Sequence, residues 1–223
     1  MKEVLSNFFV DSYVDSTPTH YYSGVGLKTL TCDKTDVAEV GFLGRTLLNA
    51  FNALEYGSLQ NRSELVKDAN NIFETYLSHG FSPAGFFNEV VRFHRDSKES
   101  NFSIRRQSEG VYAILSYLDY EKKHKRKHVE WEKRLKVILD NFLRIQKADG
   151  SFPRKFKDDF SIVDSTGGST PSVTLPLVMA YKYFNDKRYL ESAKRSANYL
   201  ENEIISKSDY FSSTLDANCE DKE

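Results

Sequence analysis

Residues 142–156 read FLRIQKADGSFPRKF, and this stretch constrains the fold more than any other in the chain. A segment with helical apolar spacing runs to Ile145 and Gln146, and Asp149 with Gly150 breaks it. Glycine reaches the left-handed backbone that closes a helix, and Pro153 has no N–H with which to resume one at once. Two aromatics, Phe152 and Phe156, flank that proline. Weaker versions of the same exit stand at residues 77–81 (LSHGF) and 205–211 (ISKSDYF). Three helix exits of one design predict a repeated helical hairpin.

The apolar periodicity supports that reading. From Asp36, a broad stripe through Val37, Val40, Leu47, Ala50, Phe51 and Leu54 stops at Gly57, as expected of a helix packed on several sides. A second helix starts at Asn61 or Ser63; it is apolar on one face only, through Leu65, Ala69, Ile72, Phe73 and Tyr76. The first of the pair reads as inner and the second as outer. The pattern recurs at residues 107–120 and 129–146, then at 173–184 and 189–205, where Pro176 is expected in the first helical turn. Inner-to-outer links are short (55–60, 121–128, 185–188), whereas outer-to-inner links are long and rich in Gly, Ser, aromatics and acids. Gly80 and Gly150 stand 70 residues apart, longer than solenoid repeats of roughly 34 to 47. Long loops gathered at one end of a helical array are where a binding site is expected.

The expected fold class is therefore all-α, with residues 1–223 forming a single domain. Residues 1–35 make an N-terminal segment and loop, and residues 36–223 make three inner/outer helix pairs. The last residues, 219–223 (CEDKE), read like the start of a further helix, so the chain is expected to be part of a longer one.

Composition excludes little. With 39% hydrophobic and 28% charged residues the chain can bury a core. A net charge of −1 gives no electrostatic reason to expect nucleic acid or an anionic membrane as partner. The basic run at 122–127 (KKHKRK) joins two helical patterns and reads as a solvated connector. Cys32 and Cys219 are too few for a disulfide scaffold or a four-cysteine zinc site. No apolar run approaches the roughly 20 residues of a membrane span, and compartment is left open.

The exit FLRIQKADGSFP and the inner/outer alternation resemble the (α/α) toroids, over roughly residues 36–223. One branch is the six-hairpin glycosidase-like superfamily, with its unsaturated glucuronyl and rhamnogalacturonyl hydrolases. The other holds terpene cyclases and prenyltransferases, which use a related turn with tryptophan where Phe152 stands. Loops rich in Tyr, Phe, Asp, Asn and Ser favour the sugar branch, as does the lack of an aspartate-rich diphosphate or cyclase motif. Three hairpins are half of a six-hairpin ring, so further chain or a partner is expected to complete the barrel. The resemblance implies a glycoside hydrolase or a fragment of one, acting on an oligo- or polysaccharide and requiring no cofactor or metal. A non-catalytic helical-repeat binding module is the alternative.

Such hydrolases use two carboxyl groups, one protonated and one ionised. By this resemblance the site lies where outer-to-inner loops meet the N-terminal ends of inner helices. Glu109, Asp164 and Asp216 are the catalytic candidates there, with plainer readings as a dipole-facing helix residue, an Asx turn and an N-cap. Arg105 and Arg106 are candidates for clasping a substrate carboxylate. Tyr22, Phe152, Phe156 and Tyr210 are candidate sugar-stacking rings, and Glu220 is a further binding candidate. Asp33 and Asp36 are secondary ones, because TLTCDKTDVAE near the start resembles STLDANCEDKE at the end.

Overall fold

The computed structural model describes residues 37–40, 46–92, 97–98 and 101–209. Tyr22, Asp33, Asp36, Tyr210, Asp216 and Glu220 lie outside the described residues. Six helices fall into three hairpins: α1 (Thr46–Leu59) with α2 (Ser63–His79), α3 (Ile104–Lys123) with α4 (Val129–Ile145), and α5 (Pro171–Phe184) with α6 (Lys187–Tyr199). The end of α6 widens into a π-helical segment, Leu200–Ile205. The long links carry short strands, β1 (Val37–Glu39), β2 (Val90–Arg92), β3 (Ser97–Lys98), β4 (Asn101–Ser103), β5 (Lys155–Lys157) and β6 (Ile162–Asp164). The chain divides into two compact units, residues 1–82 with 87–99 and residues 83–86 with 100–223.

In the first unit, α1 buries Leu47, Ala50, Ala53 and Leu54, and α2 buries Leu65, Ala69, Ile72, Phe73 and Tyr76. The two helices meet closely at Gly57, where a Cβ would stand 3.0 Å from both the Arg62 carbonyl oxygen and the Leu65 Cβ. Among the described residues the helix expected from Asp36 runs over Thr46–Leu59, and Val37–Glu39 is instead a strand, antiparallel to Val90–Arg92. Valines at this spacing fit a strand as well as a helix, and β2 supplies a ladder that isolated sequence cannot reveal. Gly80, read above as an echo of Gly150, has φ −83° and is not left-handed. Glycine is required there for space, because a Cβ would collide with the Tyr76 ring. Tyr76, Phe81 and Phe87 form an aromatic knot with centroids 5.4 to 6.3 Å apart, and the Tyr76 hydroxyl donates to the Asn88 carbonyl at 2.7 Å.

In the second unit the two hairpins lie side by side, inner α3 against inner α5 and outer α4 against outer α6. Val111, Ile114, Leu115 and Leu118 of α3 are buried, as are Val173, Leu177 and Ala180 of α5. Trp131, Leu135, Ile138, Leu139 and Phe142 form the buried face of α4. Helix α5 starts at Pro171, two residues earlier than expected. Pro171 thus holds the first-turn place where a missing N–H is tolerated, and Pro176 lies inside the helix.

The turn after α4 shows why its sequence is what it is. Gly150 has φ +90°, and a Cβ there would collide with the backbone carbonyl of Arg195 on α6. Asp149 Oδ1 accepts from the Ser151 N–H at 2.9 Å and the Ser151 hydroxyl at 2.7 Å, closing an Asx turn. The Gln146 side chain donates to the carbonyls of Gly150 (2.9 Å) and Ser192 (3.0 Å) and to Ser196 Oγ (3.1 Å). It accepts from Ser192 Oγ at 2.8 Å and from the Arg195 guanidinium. One glutamine thus clamps its own turn to the neighbouring outer helix. Phe152, fully buried, then plugs the core against Phe142, and its N–H donates to Thr170 Oγ1 at the start of α5 (3.0 Å).

Candidate functional site

The loop from Gly150 to Thr170 bridges the N-terminal ends of α3 and α5. Strand β5 pairs with β4, which leads directly into α3, and β6 returns antiparallel to β5. The Arg154 carbonyl accepts from the Ile104 N–H at 3.2 Å, and the Arg154 N–H donates to the Thr166 carbonyl at 3.1 Å. Beneath this sheet Phe86 packs on Phe102, Phe156 and Phe160, with centroids 4.9 to 5.5 Å away, and the Arg144 guanidinium stacks 3.7 Å from the Phe160 ring centre. The aromatic layer makes the rim a fixed platform on which polar groups are held.

The polar centre of this rim is an ion pair. Arg154, only 5% exposed, brings Nε to 3.0 Å from Asp164 Oδ2. The other oxygen, Asp164 Oδ1, accepts from the Thr166 N–H at 3.0 Å and the Thr166 hydroxyl at 2.6 Å. Burial pushes the Asp164 pKa up, but the Thr166 hydrogen bonds, with the charges of Arg154 and Lys155, outweigh it and hold the carboxyl below the usual range. Asp164 is therefore ionised near neutral pH, suited to a base, nucleophile or anchor and not to a proton donor.

Glu109 lies on the second turn of α3, where its Oε1 is 3.3 Å from the Arg105 Nε. Arg106 is half-buried in the first turn of the same helix. Phe152 and Phe156 have no exposed surface, so their rings face other core side chains and offer no open face to a sugar. At the start of α5, Gly167, Gly168, Ser169 and Thr170 are all buried. Ser169 Oγ and Thr174 Oγ1 are buried without a hydrogen-bond partner among the described residues.

Sequence reasoning passed over several residues that the structure brings forward. Arg154, set after Pro153 between Phe152 and Phe156, is drawn inside with that loop. In the first unit, Glu89 is only 1% exposed, and its carbonyl accepts from the Val40 N–H at 2.9 Å. Nothing in its sequence setting, FFNEVV, set it apart from a surface acid. Among the described residues, no group of three or more His, Cys, Asp or Glu is arranged to hold a metal ion. Among the same residues, no helix is long and apolar enough to cross a membrane.

No protein-family model and no curated protein sequence matches this chain. Solved structures do. A possible member of the GH105 family from Salmonella enterica superposes with a TM-score of 0.75 at 14% identity, over 98% of this chain and 58% of its own. A possible GH105 member from Klebsiella pneumoniae gives 0.70 at 12% identity, covering 94% of this chain and 55% of its own. Cellobiose 2-epimerase from Bacillus thermoamylovorans gives 0.60 at 16% identity, covering 72% and 41%. This chain thus spans 41 to 58% of the length of these structures. With inner helices side by side, outer helices clamped through Gln146, and long links on the inner-helix N-terminal side, the fold is that of a partial (α/α) toroid.

Proposed function

We propose that this chain is part of a carbohydrate-active protein, a glycoside hydrolase whose loop carboxylates act at the N-terminal rim of the inner helices. The observation that carries the reading is the Arg154–Asp164 pair, which holds an ionised carboxylate on the rim where the long links meet the N-terminal ends of α3 and α5. The toroid fold supports the same reading, since similar structures include a cellobiose 2-epimerase and a D-mannose isomerase.

The chemistry follows from the carboxyl environments. Asp164, held ionised, serves as the anionic member that activates water or steadies positive charge at the sugar carbon. The proton for the leaving oxygen then comes from a second carboxyl, Glu109 or Asp216. Arg105 and Arg106 bind a carboxylate on the substrate, as a uronic acid would carry. Tyr22, Tyr210 and Glu220 contribute further binding groups, and Phe152 and Phe156 hold the rim from beneath. The rest of the ring is supplied by further chain or by a partner.

The test uses the whole protein and a panel of neutral and uronic-acid oligosaccharides, with product analysis. Glu109→Gln and Asp216→Asn, with circular dichroism unchanged, are expected to lower turnover on the order of 10²-fold or more. Unchanged turnover in both variants would overturn the assignment. A second reading, a non-catalytic sugar-binding module, is favoured by the Asx turn at Asp164 and the Arg105–Glu109 pair. Saturable oligosaccharide binding without product would select it.

A further inference from the structure

At the other end of α3 and α5 lies a cleft that the rim chemistry does not use. Its volume is about 460 Å³, and its walls are Lys122, Lys125, Arg126, Lys127, Glu132, Tyr183 and Phe184. That size lies within the roughly 300 to 1,000 Å³ of small-molecule sites. The basic run read above as a solvated connector therefore lines a concavity.

Most charged groups around the cleft are accounted for, and three are not. Arg126 is neutralised by buried Glu121, at 2.7 Å from Nε and 2.5 Å from its terminal nitrogen. Lys123, just outside, is paired with Asp119 at 2.7 Å. Glu132 accepts the Tyr183 hydroxyl at 2.9 Å. Burial, then the Glu132 hydrogen bond, pushes the Tyr183 pKa well above the phenol range, so it remains a donor. Lys122 lies 5.0 Å over the Tyr183 ring, and neither it nor Lys125 nor Lys127 has a carboxylate partner among the described residues. Lys125 is held in this array by left-handed backbone at φ +61°. Three ammonium groups facing one carboxylate across a shared concavity repel one another, and a bound anion relieves that repulsion.

We propose that this cleft is a binding site for a small multiply charged anion of the phosphate- or sulfate-ester class. Lys122, Lys125 and Lys127 supply the charge, and the Tyr183 and Phe184 rings form an apolar wall for whatever carries the ester. Lysine acts as a mobile point charge and tolerates several oxyanion geometries, which fits a tetrahedral group better than a planar carboxylate.

Isothermal titration calorimetry of the protein with inorganic pyrophosphate, and separately with glucose 6-phosphate, tests the proposal. Saturable binding is expected, with a Kd of about 1 mM or tighter in 0.1 M salt. Lys125→Gln/Lys127→Gln is expected to weaken it about tenfold or more, through loss of two charges. Both lysines are exposed in the link, so the double variant keeps the fold; Lys127→Gln alone, with an intermediate loss, provides the check. Tighter binding of glucose 6-phosphate than of pyrophosphate identifies a phosphosugar that uses the aromatic wall. Equal or weaker binding identifies the oxyanion itself as the ligand. Absence of saturation with both probes, or affinities unchanged in the double variant, overturns the proposal.

Discussion

Replacing Gly150 by alanine adds one carbon where the turn after α4 meets α6, and its cost can be worked out in parts. The first part is conformational: Gly150 has φ +90°, where a Cβ meets its own backbone, at about 1 to 2 kcal/mol. The second is steric. The new Cβ would collide with the Arg195 carbonyl, a backbone atom in the middle of α6 that cannot rotate away. Relief requires α4 and α6 to part by a fraction of an ångström, which in a packed core costs about 1 to 3 kcal/mol. Together the loss is about 2 to 5 kcal/mol, a large share of the roughly 5 to 15 kcal/mol that holds a domain folded. For a chain of this size that is a fall in Tm of roughly 2 to 4 °C per kcal/mol. Urea unfolding followed by circular dichroism measures it directly. Gly150→Asn separates the parts, because asparagine tolerates left-handed backbone but keeps the collision. It is expected to remain within about 1 kcal/mol of alanine if the steric part dominates. A loss below about 0.5 kcal/mol for Gly150→Ala would refute the view that this turn locks the hairpins together.

Two further outcomes follow from the same framework. Gln146→Ala removes the clamp between the turn and α6 and leaves the fully buried Ser192 hydroxyl without its acceptor, so a loss of about 1 to 3 kcal/mol in urea unfolding is expected. Acid stability depends on Glu121, whose carboxyl is disfavoured by burial but held below its ordinary range by hydrogen bonds from Arg126 and His128. A depressed carboxyl contributes stability above its unfolded pKa of 4.5 and loses it as pH falls through the lower folded value. Unfolding measured from pH 6 downward should therefore show a loss below about pH 4.5 that is shallower in Glu121→Gln. A slope identical to that of the unsubstituted protein would show that other carboxyls dominate.

Local chemistry was enough to read the helical framework. The one-sided stripe of Leu65, Ala69, Ile72 and Phe73 and the stop at Asp149–Gly150 are effects of neighbours in the chain, and such effects are written in order along it. The alternation of short and long links, and hence the toroid pattern, follows from where those stops fall. Other features depend on partners far apart in sequence. Val37–Glu39 is a strand only because Val90–Arg92 supplies its ladder, and Gly80 is required only because the Tyr76 ring fills the space beside it. Phe152 and Phe156 are core residues because the loop folds inward against Phe142, Phe86 and Phe102, which no spacing rule predicts. The same folding draws Arg154 inside to Asp164, and at the other end of the inner helices Tyr183 and Phe184 of α5 close a cleft with three lysines of the basic run. Helix starts and stops cost their free energy locally and so are legible in the chain, whereas a buried ion pair or an uncompensated cluster of charge exists only once distant segments exclude water from between them.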